Sequence, residues 1–338
     1  MTGVEGRDGS DDGSRMAADR PRVLDRLEAR ADRSGLRLAG RNPALVAVRV
    51  AQRFVEVRVA GLAAEAAYYL VVSLVPLVTM VGASLGLVRT VLGADVAEQV
   101  QATLAGAVRA VLSPGLADDV AVPLVEQLLA EEQVGVALTS LAVALFLGSR
   151  VFRAAVRTLG EAYRVPERRG LLALWGLGIV FTVAAVALTV SALVLVVVGP
   201  LLGGGQQLAD ELGARDLFER VWSLLRWPLL VGGLTAFLAW LYQVGQAAET
   251  RWRDALPGAV LATAGLLGIA VGFRAWVEVA GAQVPDVAGG TEAVQVAGQF
   301  TGVVLAALLL SWLTSAVVLT GGVVNAEWHA ARPGSPRG

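Results

Sequence analysis

The sequence predicts an all-α fold: a polytopic membrane bundle of about six transmembrane helices, with an amphipathic N-terminal helix and a helical outer loop. Three observations lead to this fold class. The 338-residue chain is 55% apolar and only 17% charged, whereas soluble domains carry about 25% charged residues. Its apolar residues gather in long runs. Its arginines favour every second segment between those runs, which places both chain ends on the cytoplasmic side.

The N-terminal part of the chain divides into a tail and a helix. Residues 1–41 are charged and lack the apolar centre of a signal peptide, so we expect a disordered cytoplasmic segment. Residues 42–60 are amphipathic, with Arg49 and Arg53 on one helical face. We expect an interfacial helix whose arginines lie near anionic phospholipid headgroups. The alternative is a soluble helix packed on the inner face of the bundle.

Six apolar runs are long enough to cross a bilayer, which takes about 20 apolar residues. The third run, from Leu171 to Val198, contains no charged residue. The predicted spans cover residues 61–88, 134–151, 171–198, 224–245, 257–280 and 299–325. They define a membrane domain at residues 42–330, which is followed by a short cytoplasmic tail at 331–338.

The arginine distribution sets the predicted orientation, because cytoplasmic loops of membrane proteins carry an excess of Arg and Lys. All 28 basic residues are arginines, and 12 of them precede residue 61. Six more lie in the 150–170 connection, while the 281–298 connection has none. The bias alternates across all seven segments. It predicts a multi-pass membrane protein with both termini in the cytoplasm.

The longest predicted outer loop covers residues 89–133. Its apolar residues are spaced around Pro114 and Pro123, and this pattern favours two short helices lying over the outer surface. Loops of this length are often functional. The alternative is a plain lid over the bundle.

The composition removes several classes of active site. The chain has no Lys, no Cys and a single His, so it has no P-loop lysine, Schiff-base lysine or thiolate site. The stretch from Gly82 to Gly86 matches the sequence pattern of a nucleophile elbow, but that motif needs a strand before its turn. Here it lies within an apolar run. We predict no catalytic, cofactor-binding or metal-binding residues, and the net charge of −1 predicts no nucleic-acid partner.

Polar side chains within the apolar runs mark the candidate site, because a charge in lipid is costly. Glu65, Tyr69 and Ser73 follow one another at four-residue steps and share one face of the first span. Pro76 then removes a backbone donor. The candidate cavity residues are Glu65, Tyr69, Ser73, Pro76, Arg150, Arg153, Arg274 and Glu278. The alternative for Glu65 is a position at headgroup depth, paired with an arginine such as Arg150 or Arg153.

The last two candidates lie near the outer end of the fifth span. Arg274 and Glu278 are four residues apart, so they can pair on one helical face or extend toward the interface. A structural contribution is the favoured interpretation for both.

Glycines four residues apart occur in three of the runs. This spacing is typical of helix faces that approach closely, and it permits a homo-oligomer. The pairs are Gly82 and Gly86, Gly268 and Gly272, and Gly298 and Gly302.

Four stretches of the sequence follow a recognisable order and spacing. They are GLAAEAAYYLVVSLVPLVTM (61–80), GSRVFRAAVRTLGEAYRVPERRG (148–170), RWRDALPGAVLAT (251–263) and LTGGVVNAEW (319–328). Over about residues 42–330 they resemble the YihY/virulence factor BrkB family, historically labelled ribonuclease BN. The resemblance implies a bacterial inner-membrane protein with six spans. The arginine-rich N-terminal extension and the pair Gly321 and Gly322 depart from the family pattern.

Three functions follow from these observations. The first is transport or handling of lipid or envelope components, suggested by the polar face of the first span, Pro76 and the long outer loop. The second is a scaffolding membrane protein whose loop 89–133 binds another envelope protein. The third is the ribonuclease of the family's old label. It is disfavoured, because metal-dependent RNA cleavage needs clustered His and carboxylate groups and the chain has one His.

Overall fold

The computed structural model describes residues 42–92, 134–193, 195, 215–247, 251–280 and 292–331. Within these ranges the secondary structure is helical, with seven helices and no strand. The helices are α1 (Pro43–Glu56), α2 (Val59–Leu92), α3 (Val134–Tyr163), α4 (Leu171–Leu193), α5 (Arg215–Gly245), α6 (Trp252–Ala280) and α7 (Glu292–Ala330). The predicted charged tail, most of the 89–133 loop and most of the C-terminal tail lie outside the described residues.

Six of the seven helices are long and apolar enough to cross a membrane. Their apolar segments are Val59–Leu77, Leu138–Tyr163, Leu171–Ala192, Leu224–Gly245, Trp252–Trp276 and Thr301–Ala330. This confirms the predicted fold class, a polytopic helical membrane bundle.

The second span is longer than the sequence suggested. The prediction ended it at residue 151 and assigned 150–170 to a connection, but α3 continues to Tyr163. Arginine and alanine are good helix formers, so the stretch stays helical although it is less apolar. The helix ends where Arg164 adopts a φ of 56° and the Val165 N–H donates to the Gly160 carbonyl at 3.1 Å. This is a Schellman-type cap.

Helix α1 forms as predicted, and Arg53 of its polar face contacts the end of α3. Asn42 caps its start by accepting from the Ala44 and Leu45 N–H groups at 3.1 and 3.3 Å. The Arg53 side chain is only 12% exposed and donates to the carbonyls of Glu161 and Ala162 at the end of α3. Arg53 thus satisfies carbonyls left open by the end of α3, and the proximity of this helix to lipid headgroups stays a prediction.

The spanning helices alternate in direction. Helix α3 packs against α2, α4 and α7, and α6 packs between α5 and α7. Hydrogen bonds join the end of α5 to Arg169, which precedes α4, and the start of α6 to Asn325 near the end of α7. The starts of α2, α4 and α6 thus meet the ends of α3, α5 and α7 at one end of the bundle, which we call the arginine-rich end. Helix α1 lies there too.

The packed core lies in the half of the bundle nearest the arginine-rich end. One cluster gathers Leu159, Phe181 and Tyr242, and a second gathers Val59 and Val323. On α6 the described buried residues run only from Asp254 to Thr263, and on α7 they begin at Ser315. The described part of the opposite half has no fully buried residue.

Close helix packing occurs at other glycines than those predicted. A Cβ built on Gly268, Gly272, Gly298 or Gly302 meets no atom within 4 Å, so these glycines make no close approach to another described helix. A Cβ on Gly258 would instead collide with the Gly321 carbonyl oxygen and lie 2.6 Å from Asn325 Cγ. Close contact between described helices thus occurs away from these pairs, because it depends on how the helices are rotated against each other. A contact of the pairs with a second copy of the chain stays a prediction. The side chains around Gly82 and Gly86 lie outside the described residues.

Candidate functional site

Four arginines follow one side of α3 and the turn beyond it. Arg150, Arg153 and Arg157 are separated by steps of three and four residues, which places them on one helical face. Arg164 follows seven residues later in the connection to α4. Gly160 stands on the same face and leaves space between the last two arginines. The side chains line a cavity of about 810 Å³.

The cavity, which we call the arginine groove, lies between α2 and α4 with α3 as its floor. Helix α2 contributes a single carboxylate, and α4 contributes an apolar wall of two leucines and a tryptophan. The full lining is Glu65, Arg150, Arg153, Val156, Arg157, Gly160, Glu161, Arg164, Val165, Pro166, Glu167, Leu171, Leu174 and Trp175.

One ion pair crosses the groove from α2 to α3. Arg157 Nη2 lies 2.6 Å from Glu65 Oε1. Both side chains remain accessible, at 57% and 37% exposure, so solvent weakens the pair. The sequence had suggested Arg150 or Arg153 as the partner of Glu65. Arg157 takes that place because it lies one or two turns nearer the arginine-rich end, level with the second turn of α2.

Arg150 is held by neutral groups. Its Nη1 donates to the Tyr69 hydroxyl at 2.7 Å, and its guanidinium carbon lies 5.2 and 5.1 Å from the ring centroids of Tyr69 and Phe146. Its Nε is shielded from solvent and has no acceptor among the described residues. The hydroxyl and the two rings orient this cation without neutralising it.

Arg153 is held in a similar way by α4. Its guanidinium carbon lies 4.1 Å from the centroid of the Trp175 ring, and its Nε donates to the Ser149 carbonyl at 3.4 Å. Within the described part of the chain, neither Arg150 nor Arg153 forms an ion pair with a carboxylate. Among the described residues, the groove thus presents two oriented cations without a carboxylate partner, an arrangement suited to an anion.

Comparison with known proteins gives the family. The profile of the virulence factor BrkB family matches residues 50–337. The chain belongs to this family. A curated relative, the putative ribonuclease-like protein YfkH of Bacillus subtilis strain 168, is 29% identical over 188 residues. The aligned part covers 55% of this chain and 63% of the relative, so the chain spans less than two thirds of that protein's length. No solved structure matches the chain.

In this BrkB-family protein, four of the eight predicted cavity residues come together. Glu65, Arg150 and Arg153 line the groove, and the Tyr69 hydroxyl accepts a hydrogen bond from Arg150. The sequence had placed Glu65 in the first span and the two arginines in the connection after the second span. Because α3 continues to Tyr163, the arginines lie on a helix that packs beside α2. A polar site within the membrane domain was expected, and the structure shows where the side chains gather.

The other predicted residues lie elsewhere. The Ser73 hydroxyl donates to the Leu70 carbonyl of its own helix at 2.7 Å, and neither Ser73 nor Pro76 lines the groove. Arg274 is exposed on α6 toward the opposite end of the bundle. The Glu278 side chain lies outside the described residues, so the predicted pairing of these two stays untested.

Sequence reasoning missed the residues that contact Glu65 and Arg153 across the groove. Arg157 was counted only as a topology signal, and Trp175 was read only as part of an apolar run. The signal for Arg157 was present in the regular three- and four-residue spacing of the arginines after residue 149. No sequence signal identified Trp175, because its contact with Arg153 depends on the packing of α4 against α3.

Hydrogen bonds at the arginine-rich end also join the helices that follow α3. Arg169 Nη2 donates to the carbonyls of Val244 and Gln246 at 2.8 and 2.9 Å, at the end of α5. Asn325, which is fully buried, joins α7 to α6 by two further bonds. Arginines of this end therefore divide into those that cap helices and those that line the groove.

Proposed function

We propose that this protein handles lipids or lipid-linked envelope components of the cytoplasmic membrane, and that it binds their negatively charged heads in the arginine groove. The observation that carries the proposal is the pair Arg150 and Arg153, which are oriented by neutral groups and have no carboxylate partner in the described chain. Guanidinium groups match the oxygens of a phosphate group in charge and geometry.

The position of the groove along the helices suits a lipid head. Trp175 stands four residues after the start of α4, about 6 Å along its axis, and tryptophan is enriched at membrane interfaces. Arg153 stacks on that ring, so it lies at headgroup level. Arg150 precedes Arg153 by three residues on α3, so it lies about 4.5 Å farther from the arginine-rich end of the bundle. The groove therefore leads from the interface toward the hydrocarbon core.

The walls of the groove suit the apolar part of the same ligand. Leu171 and Leu172 at the start of α4 are exposed, and Leu174 lines the groove. Acyl chains can lie against these side chains while the head reaches the arginines. By the positive-inside rule the groove faces the inner leaflet, and this orientation is part of the proposal.

The name of the Bacillus relative suggests ribonuclease activity as a competing function. Metal-dependent cleavage of RNA uses several His or carboxylate ligands in one place. In the described ranges, no three His, Asp or Glu side chains come together in such a cluster. The second competing function, scaffolding through the 89–133 loop, draws on residues that are mostly outside the described ranges.

The test measures lipid transfer between leaflets. The purified full chain is reconstituted into vesicles that contain a fluorescent phosphatidylglycerol, and a membrane-impermeant quencher reports how fast lipid reaches the outer leaflet. We expect the protein to accelerate this transfer, and the double variant Arg150→Gln/Arg153→Gln to slow it by roughly tenfold, since two charged contacts are lost.

The matched control is Arg168→Gln, which removes an exposed arginine of the same connection that does not line the groove. This variant should transfer lipid as the wild type does. A wild-type rate equal to that of protein-free vesicles, for anionic and zwitterionic lipids alike, would contradict lipid transfer. An unchanged rate in the double variant would remove the groove from the path.

A further inference from the structure

We infer that Glu65 competes with the ligand for Arg157. Its carboxylate pairs with Arg157 until the negatively charged phosphate head of a lipid displaces it, and we call this the competitor role of Glu65. This inference rests on the proposed function. It adds the chemical class of the ligand head and assigns Glu65 to the control of binding.

The first step of the argument is the geometry of the pair. Arg153 and Arg157 are four residues apart on the same face of α3, so their side chains are neighbours. A phosphate group presents several acceptor oxygens and can bridge two guanidinium groups. The Glu65 carboxylate reaches only Arg157, through Oε1 at 2.6 Å. A phosphate held by Arg153 is therefore placed to take over Arg157 as well.

The second step is the exposure of the pair. Both partners are accessible, and exposed ion pairs contribute little to stability. Breaking the contact therefore costs little, and the freed carboxylate can turn toward water. A buried pair would behave differently, because the charge left behind would be desolvated and unpaired.

The third step is the charge balance of the groove. Four arginines face three carboxylates in the lining. Glu167 turns away to Arg169, accepting from its backbone N–H at 2.9 Å, and Glu161 is exposed. The charge therefore favours an anionic head over a neutral one. It leaves Glu65 as the carboxylate that competes directly with the ligand for an arginine.

The experiment titrates the full chain in detergent with short-chain phosphatidylglycerol and measures its dissociation constant by calorimetry. Glu65→Gln frees Arg157 and removes a negative charge, so the lipid should bind about three- to tenfold more tightly, the net value of roughly one ordinary hydrogen bond. In a chain that already carries Arg157→Gln, the same substitution should gain less than twofold. Arg168→Gln is the matched control and should bind as the wild type does.

A second lipid distinguishes competition from direct binding. Short-chain phosphatidylethanolamine carries an ammonium group that an intact Glu65 could hold while the arginines take the phosphate. If Glu65→Gln weakens the binding of this lipid and does not strengthen that of phosphatidylglycerol, Glu65 is a ligand and the inference is overturned. Inorganic phosphate is the probe without acyl chains. If it binds as tightly as the lipid, the assignment to a lipid head is wrong.

The competitor role of Glu65 and the binding of lipid in the groove predict different results, so the first can be contradicted while the second stands. Loss of phosphatidylglycerol binding in Arg153→Gln, with no gain in Glu65→Gln, leaves the groove as the binding site and overturns the competitor role. Unchanged binding in both variants removes the groove itself and the proposed function with it. Circular dichroism and gel filtration of each variant show that a change in binding does not arise from loss of the fold.

Discussion

Replacing Asn325 by alanine tests the contact that joins α6 to α7 at the arginine-rich end. Asn325 is fully buried. Its Oδ1 accepts from the Gly258 N–H at 2.7 Å, and its Nδ2 donates to the Ala255 carbonyl at 2.9 Å. Truncation removes both bonds and leaves two backbone groups without these partners, near the start of a helix that carries Pro257.

The expected loss of stability follows from these contacts. Each buried hydrogen bond contributes about 0.5–1.5 kcal/mol to stability, and leaving a partner unsatisfied costs more. The side chain also vacates space in a packed region, which adds a cavity term. Together these effects predict a loss of about 2–4 kcal/mol in the free energy of unfolding. A loss of that size lowers the midpoint of thermal unfolding by roughly 3–6 °C in a chain of this length.

Thermal unfolding of the purified chain in a fixed detergent, followed by circular dichroism, measures this change. Thr189→Ala is the control, because Thr189 is exposed and bonds only to the Ala185 carbonyl of its own helix at 2.9 Å. The control midpoint should stay within about 1 °C of the wild type, since surface substitutions change stability little. An Asn325→Ala midpoint equally close to the wild type would refute the reasoning that this bonded amide fixes the two helices.

Three further predictions concern packing, recognition and orientation. Gly258→Ala places a methyl group against the Gly321 carbonyl, so it should lower the yield of folded protein in gel filtration, whereas Gly268→Ala, which faces open space, should not. Arg153→Lys keeps the charge but loses the planar stacking on the indole ring of α4, so calorimetry should show phosphatidylglycerol binding weakened by about three- to tenfold. Because the chain has no Cys, a single Arg168→Cys should react with an impermeant maleimide only from the cytoplasmic side. Labelling of intact cells from outside would reverse the proposed orientation.

The uneven packing of the bundle affects how firmly the arginines of the groove are held. The described buried residues lie in the half near the arginine-rich end, where Tyr242 also donates to the Val318 carbonyl at 2.5 Å. The floor of the groove therefore belongs to the tightly packed half. If the groove binds a lipid head as proposed, a packed floor that holds the arginines in place means that little ordering is required on binding.

The sequence by itself determined the membrane class, the number of spans and the family. These follow from one-dimensional properties, because a segment enters lipid according to its summed hydropathy and its backbone must then be helical. The cap at Asn42 and the helix after it could also be predicted, since Asn followed by Pro is a local start signal. The four arginines after residue 149 were visible as well, although they were assigned to a loop.

Only the tertiary structure decided how those side chains are used. It paired Glu65 with Arg157 rather than with Arg150 or Arg153, and turned Arg53 inward to cap α3. It also moved the close helix contact to Gly258 and Gly321. The physical reason is that hydropathy and spacing fix which residues share a face, but not the rotation and axial level of one helix against the next. Those two quantities decide which arginine meets a carboxylate and which does not.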